Sequence, residues 1–333
     1  VLKPTTDESG RPVAPVLPSK YESAADRLIL SDGTGGFLIK EVTSDASADS
    51  TSLGLVITDF DNKPGVEVFV ANDMKPNQLW IRTSPQEWID AAPVRGCAFS
   101  YTGGATAAMG VAAGDFDRNG MVDLHVTNFE RENVSLFLND DGVFQDRNIQ
   151  YRLAEDSHDV LGFGTQAIDY DNDGRQDLMV ANGHIEDAVE NTSPFKQMPQ
   201  LFCNLGDHFA ITHVTDASDY WNSPHLGRGA AVLDFDRDGR QDLVITHVEE
   251  SSALLLNQTP SNHHWLQLQL VGTKSERDSI GARIRVRVGL QELTDWVIAG
   301  DGYLCSNEDV VSFGLGDSCL LYTSPSPRDT NLH

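Results

Sequence analysis

The sequence predicts an all-β fold, in which repeated four-stranded units form part of a β-propeller and a small β module follows. Three observations carry that prediction. One acidic loop recurs four times between apolar runs: ITDFDNKPGVEVFV (57–70), AAGDFDRNGMVDLHV (112–126), AIDYDNDGRQDLMV (167–180) and VLDFDRDGRQDLVI (232–245). The first aspartates, Asp59, Asp115, Asp169 and Asp234, lie 56, 54 and 65 residues apart, periods that mean a propeller or a solenoid. Around each loop stand short strand-like runs joined by tight turns, and four strands per unit are what a propeller blade needs.

In chain order, the Pro-rich RPVAPVLPS (11–19) reads as an extended linker and is grouped with all of 1–24. LILSDGTGGFLIKEVT (28–43) is a strand, a Gly turn and a strand, the second half of a unit. The segment 110–148 shows a whole unit: GVAAG, the acidic loop, VDLHVTNF, NVSLFLND, a turn at Gly142 and VFQDRN. The third unit continues with MVANG, an insertion from His184 to Pro199, QLFCNLG and HFAITHV, and the fourth with LVITHV and ALLLNQT. Residues 25–260 therefore read as about four to five blades. From 261 to 318 the runs WLQLQLVG, ARIRVRVG, TDWVIAG and VVSFGLG alternate without acidic loops. They are expected to form a small β module, either separate or packed on the last blade. LLYTSPSPRD resembles translated adapter sequence, so 319–333, with Cys319, is set aside as non-native.

The loops themselves point to a hard cation. Loops two to four share the frame Asp-x-Asp-x-Asp/Asn-Gly-x-x-Asp, which sets four oxygen-bearing side chains around a Gly turn. Oxygen donors without His or Cys argue for Ca²⁺ over zinc. The candidate ligands are Asp115, Asp117, Asn119 and Asp123; Asp169, Asp171, Asp173 and Asp177; and Asp234, Asp236, Asp238 and Asp242. In the first loop Asp59, Asp61 and Glu67 keep part of the frame, but Lys63 stands at a ligand position and Pro64-Gly65 replaces the Gly. An EF-hand is excluded, because it needs a bidentate Glu at the twelfth position between helices. Here the twelfth residues are Val126, Val180 and Ile245, inside strand-like runs. One aspartate suffices to cap a turn, whereas four carboxylates in nine residues repel unless a cation neutralises them. Sites that recur once per blade, enclosed by protein oxygens, read as structural rather than catalytic.

The net charge of −26 argues against nucleic acid or an anionic membrane as partner. Fourteen of the fifty acidic residues lie in the four loops, so part of the excess belongs to the cation sites. No run approaches the ~18 apolar residues of a membrane span. Cysteines 97, 203, 305 and 319 show no close pairing or metal-ligand spacing and read as buried free thiols. There is no Gly-x-Ser-x-Gly, no His-Glu-x-x-His and no phosphate-binding Gly loop. His184, beside Glu186 and Asp187, reads as turn-stabilising ahead of a general base. Trp80, Trp88, Trp221, Trp265 and Trp296 read as packing ahead of sugar stacking. Asn133, Asn191 and Asn257 fit the Asn-x-Ser/Thr pattern.

Seven stretches carry a family likeness: VANDMKPNQLW (70–80), MGVAAGDFDRNG (109–120), GFGTQAIDYDNDG (162–174), VANGHIED (180–187), RGAAVLDFDRDG (228–239), HWLQLQLVGTKSERDSIGARIRV (264–286) and GDGYLCSNEDVVSFGLG (300–316). The repeats resemble the FG-GAP or VCBS repeats of integrin α-subunit propellers. Over about 25–317 the chain resembles the cartilage acidic protein-like family, which joins those repeats to an ASPIC/UnbV domain. The resemblance implies a seven-bladed propeller with Ca²⁺ in the blade loops and a C-terminal β domain. With four and a half blades here, it also implies a fragment. The function expected is a secreted or surface-associated, Ca²⁺-stabilised module that binds an extracellular protein or glycan, located outside the cell, at its surface or in a periplasm. The rival is an extracellular polysaccharide-active or other hydrolase that uses the propeller as scaffold.

Overall fold

The computed structural model describes residues 25–42, 50–84, 87–187, 193–214 and 220–318. The Pro-rich linker, Asn191 and Cys319 lie outside the described residues. A hairpin of β1 (Asp26–Ser31) and β2 (Phe37–Val42) comes first. Next is an antiparallel sheet of β3 (Ser52–Thr58), β4 (Glu67–Asn72), β5 (Gln78–Ser84) and β6 (Glu87–Asp90). The second sheet holds β7 (Val111–Gly114), β8 (Asp123–Val126), β9 (Ser135–Asp140) and β10 (Val143–Asp146). The third holds β11 (Gly162–Ile168), β12 (Asp177–Asn182), β13 (Gln200–Asn204) and β14 (Phe209–Ile211), and the fourth β15 (Gly227–Leu233), β16 (Asp242–His247) and β17 (Ala253–Leu255). These are four consecutive propeller blades, each built in chain order from its inner strand outward, with the hairpin as the half unit that the sequence predicts.

The core lies between blades rather than within them. Val56 and Phe69 of the first blade meet Leu124 and Phe137 of the second; Leu136 meets Leu178 and Phe202 of the third; Ile168 and Met179 meet Ala230 and Ile245 of the fourth. A strand covered by a sheet on each face reads as a continuous apolar run. Accordingly β4, β8 and β12 are buried along their whole length. The inner strands approach so closely that in three blades one position admits only glycine. A Cβ on Gly54 would lie 2.4 Å from the Met109 carbonyl oxygen, on Gly110 2.0 Å from that of Phe163, and on Gly164 2.4 Å from that of Arg228. Each of these glycines stands five residues before the first aspartate of its loop.

The fourth glycine of that series, Gly229, faces a different neighbour, the carbonyls of Tyr303 and Leu304. The C-terminal strands explain this. β18 (His264–Leu268) pairs with β22 (Val311–Gly316), and β19 (Arg283–Val288) with β20 (Gln291–Trp296), around a small core of Val286, Leu293, Val311 and Phe313. Between the pairs, β21 (Ala299–Gly300) leaves the module and adds to β3, with Ala299 opposite Ile57. The chain then crosses the other inner strands. Val111 N–H donates to Gly302 O at 3.0 Å on β7, and Cys305 Sγ contacts Ala230 O at 3.0 Å on β15. Asn307 accepts from Val232 N–H at 2.9 Å and donates to Gln166 Oε1 of β11 at 2.8 Å. The module is thus neither separate nor confined to the last blade: segment 299–308 touches the inner strand of every blade.

Candidate metal centre

In every blade the acidic loop joins the inner strand to the second strand, so the four loops occupy the same position in each blade. The loops share one backbone shape. Their fourth residues, Asn62, Arg118, Asn172 and Arg237, all have φ between 56° and 60°, the left-handed region. Gly120, Gly174 and Gly239 follow at φ 81–86°. At Gly239 two demands coincide, because a Cβ there would also lie 1.8 Å from the Trp265 ring.

That shape turns backbone N–H groups onto the carboxylates. The first aspartate accepts from the fifth residue through Oδ1 and from the Gly through Oδ2. These distances are 3.0 and 2.9 Å for Asp115, 3.0 and 2.8 Å for Asp169, and 3.1 and 2.9 Å for Asp234. The closing aspartate accepts from the second residue: Phe116 to Asp123 at 2.9 Å, Phe235 to Asp242 at 2.8 Å, and more loosely Tyr170 to Asp177 at 3.4 Å. Glu67 takes the same part for Phe60 at 2.8 Å. The fifth residue accepts from the seventh, in the pairs Asn119 with Met121, Asp173 with Arg175 and Asp238 with Arg240.

The first, third and ninth positions converge. One carboxylate oxygen from each of Asp115, Asp117 and Asp123 lies within 4.8 Å of the others, and the same holds for Asp169, Asp171 and Asp177, for Asp234, Asp236 and Asp242, and for Asp59, Asp61 and Glu67. Oxygens bound to one Ca²⁺ at roughly 2.3–2.6 Å stand at most about 5 Å apart, so the groupings fit that ion. None of the four contains a nitrogen or sulfur ligand. At the fifth position Asp173 and Asp238 also pair with Arg175, at 3.3 Å, and Arg240.

Burial makes these carboxylates costly to ionise. It pushes Asp115 and Asp169 up to about 7 and Asp177 up to about 9, with neighbouring carboxylates adding to each. Asp123 is raised well above the ordinary range, and Asp117, Asp171 and Asp242 are raised too, burial again leading. A bound cation favours the charged form and so opposes this cost.

The first loop is neutralised differently. Lys63 Nζ lies 2.8 Å from Asp61 Oδ2, and Arg95 lies 3.3 Å from the same oxygen. The lysine at the ligand position therefore brings its own charge to the carboxylates. Lys63→Asp, which restores the frame, is expected to bind one more equivalent of Ca²⁺ than the unsubstituted chain in a calorimetric titration, with Pro64 keeping that site the weakest.

Other singled-out residues fall mainly in structural places. Trp80 and Trp296 are buried, whereas Trp265 is 42% exposed against the fourth loop. His184 is buried, with Nδ1 3.0 Å from Glu186 O and Nε2 3.9 Å from Glu130. Cys97, Cys203 and Cys305 are free thiols, but only Cys97 is buried; Cys203 and Cys305 are half-buried, not enclosed as the sequence suggests. Two features escaped the sequence reading. His125 is fully buried on β8, its Nδ1 3.0 Å from Thr165 Oγ1, and burial pushes it down to about 3. A cavity of about 470 Å³ between the inner strands and the C-terminal module is lined by Asp234, Gln241, Gln267, Asp295, Asp301 and Asn307 among others. Burial pushes Asp295 to about 7 and Asp301 to about 8, and Asn307 donates to both Asp301 oxygens at 2.9 and 3.1 Å.

Comparison with known proteins places these features. An FG-GAP-like repeat family model matches residues 115–180, and the ASPIC and UnbV model matches 272–320. Cartilage acidic protein 1 of Xenopus tropicalis is 27% identical over 271 residues, which is 79% of this chain and 39% of that protein. Integrin alpha pat-2 of Caenorhabditis elegans is 26% identical over 98 residues, 29% of this chain and 7% of that protein. A solved Agrocybe aegerita lectin, described as recognising non-reducing terminal N-acetylglucosamine, matches over 71% of this chain and 76% of its own at 14% identity and a TM-score of 0.33. The chain is homologous to cartilage acidic protein 1 and carries the FG-GAP-like repeat and the ASPIC/UnbV segment. It spans about two fifths of the length of the cartilage acidic proteins it matches.

Proposed function

We propose that this chain is a Ca²⁺-stabilised propeller module, secreted or surface-associated, that binds an extracellular protein or glycan. The observation that carries the metal reading is the recurrence in three blades of one hydrogen-bond pattern around three converging carboxylates. Asp115, Asp117 and Asp123, with Asn119, hold one ion; Asp169, Asp171 and Asp177, with Asp173, a second; Asp234, Asp236 and Asp242, with Asp238, a third. The carbonyls of Arg175 and Arg240 complete the shells of the last two. When bound, the ion supplies charge that lets buried carboxylates close each turn. The likeness to cartilage acidic protein 1 and to integrin α repeats supports an extracellular setting and a protein partner. Among the described residues no helix is long and apolar enough to cross a membrane.

Calorimetric titration tests the metal reading. Ca²⁺ should bind with measurable heat, and Asp236→Ala should remove one equivalent; no heat from the unsubstituted chain would overturn it. Arrays of extracellular proteins and glycans, probed with and without Ca²⁺, test the partner. A second reading, hydrolysis, rests on the pair Asp295 and Asp301 in the cavity. Turnover of a polysaccharide that is lost in Asp295→Asn would favour it over the interaction reading.

A further inference from the structure

Three blades place an asparagine on or just past the third strand: Asn139 on β9, Asn204 at the end of β13, and Asn257 two residues after β17. The two on strands are buried. Each backbone N–H donates at 2.7 Å to Oδ1 of its own blade's closing aspartate, Asp123, Asp177 or Asp242. Each side-chain oxygen accepts a backbone N–H of the following turn, from Gly142 at 2.7 Å, Gly206 at 2.9 Å and Thr259 at 3.0 Å. With the oxygen so engaged, the amide NH₂ must face the other way. There it donates across the blade junction to the carbonyl of the second residue in the preceding loop: Phe60 at 2.9 Å, Phe116 at 2.9 Å and Tyr170 at 2.7 Å. Those carbonyls sit between the first and second ligand aspartates, Asp59 and Asp61, Asp115 and Asp117, Asp169 and Asp171. One residue thus holds the last ligand of one loop and the ligand spacing of the loop before it.

We propose that these asparagines are positioning residues that couple neighbouring cation sites, so that filling one loop tightens binding in the preceding loop. This rests on the Ca²⁺ reading above. An ion in the third loop fixes Asp177, which fixes the Asn204 backbone, whose amide fixes the stretch between Asp115 and Asp117. The connection is a contiguous chain of hydrogen bonds between two sites, and linkage makes the effect reciprocal. The first loop has no equivalent of its own, since Arg82 occupies the matching place on β5. It is still read by Asn139, at a loop that carries its own lysine.

The test is a double-mutant cycle on the full chain, read by calorimetric titration with Ca²⁺. With the fourth loop silenced by Asp236→Ala, silencing the third by Asp171→Ala should weaken the second loop's site by about fivefold or more. With Asn204→Leu present, which keeps the backbone N–H but removes the amide, the same Asp171→Ala change should move that site by less than about twofold. A merely structural asparagine would lower affinity in both backgrounds without changing this difference. Equal weakening with and without Asn204, or none with it intact, overturns the coupling while leaving the sites standing. A flat titration of the unsubstituted chain overturns the Ca²⁺ reading itself. Where Asn204→Leu does not fold, Asn257→Leu with Asp236→Ala, reading the third loop with the second silenced by Asp117→Ala, decides the matter at the next junction.

Discussion

Chelated protein is expected to melt on the order of 10 °C below protein in millimolar Ca²⁺. A ligand held at a hundredfold its Kd adds about 2.7 kcal/mol per site, and three such loops add roughly 8 kcal/mol. For a chain of this size a kilocalorie per mole moves the midpoint by a degree or two, a little less than the roughly 2–4 °C of mid-sized domains. The pH dependence has a definite sign. Asp115, Asp169 and Asp177 are held by burial at about 7, 7 and 9, above the unfolded value near 4. The folded chain then binds more protons than the unfolded one between those limits, so its stability falls as pH rises. Without Ca²⁺, the melting temperature should therefore decline from pH 5 to pH 8; with saturating Ca²⁺ the decline should flatten, because the cation takes the place of the protons. Scanning calorimetry in both conditions checks this. Coincident curves would remove the structural role of the ion, and a chelated chain that grew more stable toward pH 8 would contradict the burial of these groups.

Gly300→Val should be among the most damaging single changes outside the loops. Gly300 has φ 92°, and a Cβ there would sit 2.1 Å from the Leu55 carbonyl oxygen and 2.9 Å from its carbon. Both neighbours are backbone of β3, so neither can yield without breaking the β21–β3 pairing. Left-handed strain in a β-branched residue costs about 1–3 kcal/mol, and the collision adds to it. A loss of at least about 3 kcal/mol is expected. Amide exchange should rise at Ile57, Val111 and Val232, the inner-strand positions of the first, second and fourth blades whose N–H groups face segment 299–308. Gly289→Ala is the control, since its φ of 62° is also left-handed but no atom lies within 4 Å of the added carbon. It should cost about 1 kcal/mol and leave exchange on the inner strands unchanged.

The blade strands and the acidic loops were legible because their signals are local. Alternation and apolar runs of four to seven residues mark strands, and nine residues hold the ligand frame. Even the departure at Lys63 was visible as a charge of the wrong sign, and the structure shows that charge lying on Asp61. The asparagines were not legible as a unit, although FLND, FCNLG and LLNQT each end a strand run in the same residue. Their carbonyl partners are 79, 88 and 87 residues away, beyond any window that reads periodicity. Asn257 stood out only as part of an Asn-x-Ser/Thr pattern, while its side chain is engaged with Tyr170. The path of GDGYLCSNE was hidden for a related reason. It has no alternation because it crosses strands instead of continuing one, and its fixed points are single residues on four different blades.

That crossing has a consequence for how the chain reaches its fold. Ala299 pairs with Ile57, so the edge of the first inner strand waits for a partner made 242 residues later. At synthesis rates of about 5–20 residues per second the wait is roughly 12–50 s. During it the emerging blades can bury their shared cores in order, each against the last, but the row of inner-strand amides stays open to water or to a foreign strand. Such long-range closure slows folding. The final, rate-limiting event should be the docking of 299–308, and refolding of the intact chain should show a slow phase that reports on the inner strands alone.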